Sequence, residues 1–163
     1  MPKLLFIAGV VMWMPAIASA QDYPRAEASA GYSYLRGTFD ANFNGWNFSV
    51  AGNPTRWFGV AGEVGGLYIS NAQIYTFLAG PRLTSRAGRA NPYAQVLFGG
   101  VNISNGFSET AFGWAVGGGV DIKVNKRIAI RAIDVTYLQT RFGGQAQHNG
   151  RLSAGVVFRF GEK

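Results

Sequence analysis

Arg151-Leu-Ser-Ala-Gly-Val-Val-Phe-Arg-Phe160 places Leu152, Ala154, Val156, Phe158 and Phe160 on one side of an extended chain. Arg151, Ser153, Gly155, Val157 and Arg159 fall on the other. Strict alternation is the period of a β-strand, whose successive side chains point to opposite faces. One face of this strand is bulky and apolar, and the other is small or charged. Its surroundings therefore differ sharply on the two sides.

The same pattern recurs through the preceding sequence. Ala28, Ala30, Tyr32 and Tyr34 alternate with Glu27, Ser29, Gly31 and Ser33, and Trp46, Phe48 and Val50 with Asn47, Ser49 and Ala51. A third segment, about 57–68, opposes Phe58, Val60, Val64 and Tyr68 to Glu63 and small residues. A fourth, about 73–83, sets Tyr75, Phe77 and Ala79 against Thr76, Leu78, Gly80 and Arg82. The fifth, 92–101, sets Ala94, Val96 and Phe98 against Tyr93, Gln95 and Gly99. The sixth, about 111–123, sets Phe112, Trp114, Val116, Val120 and Ile122 against glycines, Ala115 and Asp121. In the seventh, 128–139, Ile128 and Ile130 oppose Arg131, but the same phase would send Asp134 out with the isoleucines. A β-bulge that resets the phase brings Asp134 back inside and leaves Val135 and Tyr137 outside. Turn residues separate the segments, Gly52-Asn53-Pro54 and 85–91 (SRAGRAN) among them. Pro54, Pro81 and Pro92 fall at or near strand ends, where a missing N–H is tolerated.

At the N-terminus, Lys3 precedes the apolar stretch Leu4–Met14, Pro15 breaks it, and Ala18-Ser19-Ala20 supplies small residues ahead of Gln21 and Asp22. That is the pattern of a secretory signal peptide, with cleavage expected after Ala20. Two units follow: a signal peptide, 1–20, and a single domain, 21–163. Loss of Lys3 lowers the formal charge from +7 to +6. The 143 remaining residues give about 18 for each of eight strands with its connection, and a tilted spanning strand needs about 9–11.

The chain has no cysteine, which excludes a disulfide framework and thiolate metal sites, and its single histidine, His148, excludes a histidine cluster. Charged residues make up 14%, well below the roughly 25% of soluble domains, yet the mature part has no apolar run of helix-spanning length. A closed barrel in lipid reconciles the two, because only one face of each strand is apolar.

Eight-stranded barrels also occur in soluble binding proteins, and the wet face distinguishes them. Here Tyr32, Tyr34, Trp46, Phe48, Phe58, Tyr75, Phe77, Phe112, Trp114, Phe158 and Phe160 share the bulky face. So many aromatics do not fit a narrow lumen, so the bulky face points outward and the small polar face lines the interior. Glu63, Arg82, Gln95, Asp121, Arg131 and Asp134 are expected there, with Glu63 and Asp121 paired to Arg82 or Arg131. Glu27, Arg151 and Arg159 take the same face. Such a lining is either an ion path or a packed polar core. Eight strands leave room for side chains and little else, so a plugged core is expected.

YTFLAGPRLT (75–84), NPYAQVLFGGV (91–101), WAVGGGVDIKVNKRIAIR (114–131), VTYLQTRF (135–142) and RLSAGVVFRF (151–160) together resemble the small outer-membrane β-barrel family. That family includes OmpA-type transmembrane domains, OmpX-like barrels and opacity-type proteins. The resemblance implies an all-β, eight-stranded antiparallel up-and-down transmembrane barrel in the outer membrane of a Gram-negative-type bacterium. It also implies periplasmic termini and insertion by the barrel-assembly machinery. Val156, Phe158 and Phe160 match the family's last-strand assembly signal, although Gly161-Glu162-Lys163 extend past the aromatic. The peptidoglycan-binding domain of full OmpA-type proteins is not expected.

Some small outer-membrane barrels act on lipid A through serine, histidine and an acid. His148 with Ser153, or with Ser108 and Glu109, has no spacing that supports such a set, so no enzyme is expected. The glycines of GWAVGGGVD fall on one strand face instead of opening a helix, so they make no phosphate loop. Arg25, Arg56, Arg86, Arg89, Lys123, Lys126, Arg127 and Lys163 gather at the turn end, where anionic lipid head groups are expected partners and nucleic acid is not. No cofactor and no specific small-molecule ligand are expected, and a monomer is. The connections 37–44, 69–72, 102–109 and 140–149 are short, which argues for a structural or surface role. The alternative is a narrow porin or channel for ions and very small solutes.

Overall fold

The computed structural model describes residues 22–36 and 42–162, so the signal peptide assigned to residues 1–20 lies outside the described residues. Eight antiparallel strands run up and down in sequence order: β1 (Ala26–Arg36), β2 (Asn42–Gly52), β3 (Phe58–Ile69), β4 (Ala72–Thr84), β5 (Ala90–Ser104), β6 (Ser108–Lys123), β7 (Ile128–Phe142) and β8 (Gln145–Phe160). Each pairs with its chain neighbours, and β1 pairs with β8 from Ala26↔Phe160 to Arg36↔Gly150, which closes the barrel.

The ladder climbs as it goes round. From Gly59 the register steps through Arg82, Gln95, Gly117, Thr136, Arg151 and Leu35 to Phe43 on β2, which lies toward the far end of β3 from Gly59. This stagger is the strand tilt that closure requires.

The bulge expected in the seventh strand is present. Val120 pairs with Ile133 and Asp121 with Arg131, while across β8 Arg131 pairs with Gly155 and Asp134 with Ser153. One extra β7 residue is absorbed, so Ala132 and Ile133 both face outward while Arg131 and Asp134 are buried. Downstream, Val135 and Tyr137 are exposed, and Thr136 and Leu138 are buried.

Pro81 and Pro92 fall near one end of β4 and β5, and the β4–β5 ladder skips from Ala79↔Phe98 to Arg82↔Gln95 around Pro81, which has no N–H to offer. The connections opposite the termini are shorter than their polarity suggested, because strands continue through them. Only Ser70–Asn71 separates β3 from β4, 105–107 separates β5 from β6, and Gly143–Gly144 separates β7 from β8. Positive φ at both Gly143 (56°) and Gly144 (82°) suits a two-residue hairpin turn. His148 accordingly lies on the outer face of β8 and not in a loop. The strands β5 to β8 contain 15 or 16 residues against 11–13 in β1 to β4.

Candidate functional site

Alternation gives the wall two chemically distinct faces. The outer one carries the bulky residues expected there, with Phe48, Val60, Phe77, Phe98, Val116, Ile130, Val135, Val156 and Phe158 exposed across its middle. Toward the end opposite the termini it becomes amphipathic: the Tyr32 and Tyr34 hydroxyls donate to Asn44 and Asn42, and Trp46 Nε1 donates to the Tyr68 hydroxyl at 3.3 Å. Trp114, Tyr137 and His148 form a further ring cluster there. At the termini end stand Trp57, Phe58 and Phe160. Two aromatic rims flanking an apolar band are the profile of a surface that faces hydrocarbon between two interfaces.

All six polar residues assigned to the interior are buried. Arg131 forks onto Asp121, Nε to Oδ1 at 2.8 Å and Nη2 to Oδ2 at 3.0 Å, and its Nη1 donates to Ser29 at 3.2 Å. Register explains this pair, since the two residues are opposite each other on β6 and β7. Tyr93, whose ring lies 4.7 Å from both the Arg82 and the Arg131 guanidinium, donates its hydroxyl to Asp134. Asp134 also accepts from Thr136 at 2.8 Å.

The expected partner of Glu63 is wrong. Glu63 pairs with Arg151 and not with Arg82 or Arg131, while Arg82 Nε donates to Gln95 Oε1 at 2.9 Å. Tyr93 as the shared platform was missed as well, although its inward phase was readable.

Two further layers complete the filling. Leu35, Leu67, Ile74, Leu78, Leu97, Val101 and Leu138 form a buried apolar cluster inside the barrel, against which Phe43 and Ile103 pack. The interior is thus not uniformly polar, contrary to the polar core expected from its small-residue face. Extending the alternation one step past Ser33 and two past Glu63 would have placed Leu35 and Leu67 inside. At the termini end, Glu27 takes Arg86 at 3.1 Å, Arg159 at 3.5 Å and Asn53 at 3.2 Å. Arg86, expected on a solvated turn, instead reaches inward and is buried. Past Phe160 the chain turns at Gly161, and Glu162 pairs with Lys123 and with Arg159, the latter at 3.3 Å. The extension beyond the terminal aromatic therefore folds over the barrel end.

No family model and no curated protein sequence matches the chain. Solved structures do. Neisserial surface protein A is 18% identical, with a TM-score of 0.64 over 87% of this chain and 99% of that one. Ail, the attachment invasion locus protein of Yersinia pestis, is 19% identical, with a TM-score of 0.58 over 85% and 99%. The N-terminal β-barrel domain of Pseudomonas aeruginosa OprF is 13% identical, with a TM-score of 0.59 over 85% and 99%. The fold is that of the small outer-membrane barrels.

Within this outer-membrane barrel fold, the candidate hydrolytic residues separate. His148 lies outside and bonds the Tyr137 hydroxyl, whereas Ser153 is buried inside and shares a 2.8 Å bond with Ser33. Ser108 is bound by Asn102 at 3.0 Å near the β5–β6 turn, and the glycines of GWAVGGGVD lie along β6. Asn102 also donates to Thr110 at 2.8 Å, giving this part of the wall a polar outer face.

Proposed function

We propose that this chain is a monomeric structural and surface-interacting barrel of a Gram-negative-type outer membrane, without catalysis. In this reading residues 1–20 direct export, and Val156, Phe158 and Phe160 present the last strand to the barrel-assembly machinery. The termini face the periplasm, where exposed Arg56, Arg89, Lys126 and Arg127 meet anionic head groups. The β5–β6 and β7–β8 hairpins face outward from the cell. Glu63, Arg82, Gln95, Asp121, Arg131 and Asp134 hold the barrel together from within and conduct nothing.

The observation that carries this reading is the filling of the lumen by an apolar cluster, a middle network of ion pairs and the Glu27–Arg86–Arg159 lid. Relatives in fold named for a surface and for attachment and invasion accord with a surface role. Planar-bilayer recording tests the filled lumen: reconstituted protein is expected to give no sustained current, and ohmic steps would establish the narrow-porin alternative. Membrane fractionation tests the location. The expected result is an outer-membrane band whose gel mobility changes on boiling, and a soluble periplasmic band would overturn the placement.

A further inference from the structure

Arg131 shows what a buried guanidinium requires here. Its Nε/Nη2 edge presents two parallel donors, and both carboxylate oxygens of Asp121 receive them. Arg82 is equally buried, at 2% exposure, but the same edge meets a single neutral acceptor, Gln95 Oε1. Its Nη2 finds no acceptor among the described residues, and neither does Gln95 Nε2, although Gln95 is 3% exposed. Two buried donors, one of them cationic, thus stand together unfilled.

Charge points the same way. The buried charged residues comprise five arginines and four carboxylates, and Lys123 with Glu162 leaves that surplus unchanged. Among the described residues, Arg86, Arg131, Arg151 and Arg159 each contact a carboxylate, and Arg82 contacts none. Asp134 is engaged by the Tyr93 and Thr136 hydroxyls. The Tyr93 ring that Arg82 stacks on carries Arg131 as well, so a second cation adds to the unfavourable potential. An unpaired buried charge is strongly destabilising, and an acceptor of opposite sign offsets that cost.

We propose that Arg82 Nη2 and Gln95 Nε2 form a buried site for one small monovalent anion of the halide class. The ion completes the fork that Asp121 completes on Arg131, and it stabilises the folded barrel as a structural ligand. This does not depend on the surface role proposed above.

Bromide is the probe, used on the refolded full-length mature barrel in detergent. Crystals grown in sodium bromide are expected to show an anomalous peak within hydrogen-bond distance of Arg82 Nη2. Thermal unfolding is expected to rise by several degrees in bromide over gluconate at equal ionic strength. Gln95→Glu supplies the missing carboxylate from the protein itself, so both the peak and the bromide dependence should vanish while heat-modifiable mobility persists. Arg82→Met should likewise lose them if it folds. Absence of a peak in the wild-type protein, a water at that position, or bromide dependence that survives Gln95→Glu would each overturn the site.

Discussion

Arg131→Met is expected to destabilise the folded barrel by about 3–5 kcal/mol, the usual consequence of removing one partner from a buried ion pair. The loss exceeds that of one hydrogen bond because Asp121 stays behind, buried, with its two-point partner gone. Water cannot relieve it without opening the lumen. Urea unfolding in detergent micelles, followed by gel mobility, measures the change. The diagnostic comparison is the double variant Arg131→Met/Asp121→Leu, which removes both charges and should recover most of the loss. If the single and double variants are equally destabilised, packing rather than charge is what Arg131 supplies.

Gly155→Val is expected to prevent closure altogether. Gly155 pairs with Gly31 across the β1–β8 seam, and a Cβ at Gly155 would stand 2.3 Å from the Ala30 carbonyl oxygen and 2.6 Å from Gly31 Cα. Both obstacles are backbone, so no rotamer change makes room, and relief requires the two strands to part. Gly31→Val meets the Ala154 carbonyl oxygen at 2.3 Å and should behave alike. By contrast, Gly150→Val on the same strand has open space around its Cβ and serves as the control. The readout is the fraction of protein with native mobility before boiling. It should fall to background for Gly155→Val and stay near wild type for Gly150→Val, and native mobility in Gly155→Val would refute the seam argument.

The wall was legible in the sequence because hydrocarbon outside and polar groups inside write strong contrast into a period of two. The contrast was sharp enough at Asp134 to reveal a bulge from a phase error alone. Strand ends were not legible for the complementary reason. Where the wall rises past the apolar band both faces are polar, as in Ser108-Glu109-Thr110 and Gln145–Asn149, and alternation disappears although pairing continues. Periodicity also tells which way a side chain points but not whom it meets across the lumen. Asp121 and Arg131 lie on strands joined by a short turn and meet directly. Glu63 and Arg151 are on β3 and β8, brought together by tilt and closure, which no local spacing encodes. Most inward leucines, Leu67, Leu78, Leu97 and Leu138, lay within the alternating segments, but the small and polar residues beside them had set the expectation.

The hairpins β5–β6 and β7–β8 have a consequence for anything that binds at the end opposite the termini. These are paired strands and not loops, held by continuous ladders from Asn102↔Thr110 to Ser104↔Ser108 and from Leu138↔Asn149 to Phe142↔Gln145. A flexible loop loses backbone freedom, about 1–2 kcal/mol per residue, when a partner immobilises it. These hairpins have already lost it during folding. Any recognition on this surface would therefore begin from a rigid template, with partners selected by fit to a fixed shape instead of by adaptation.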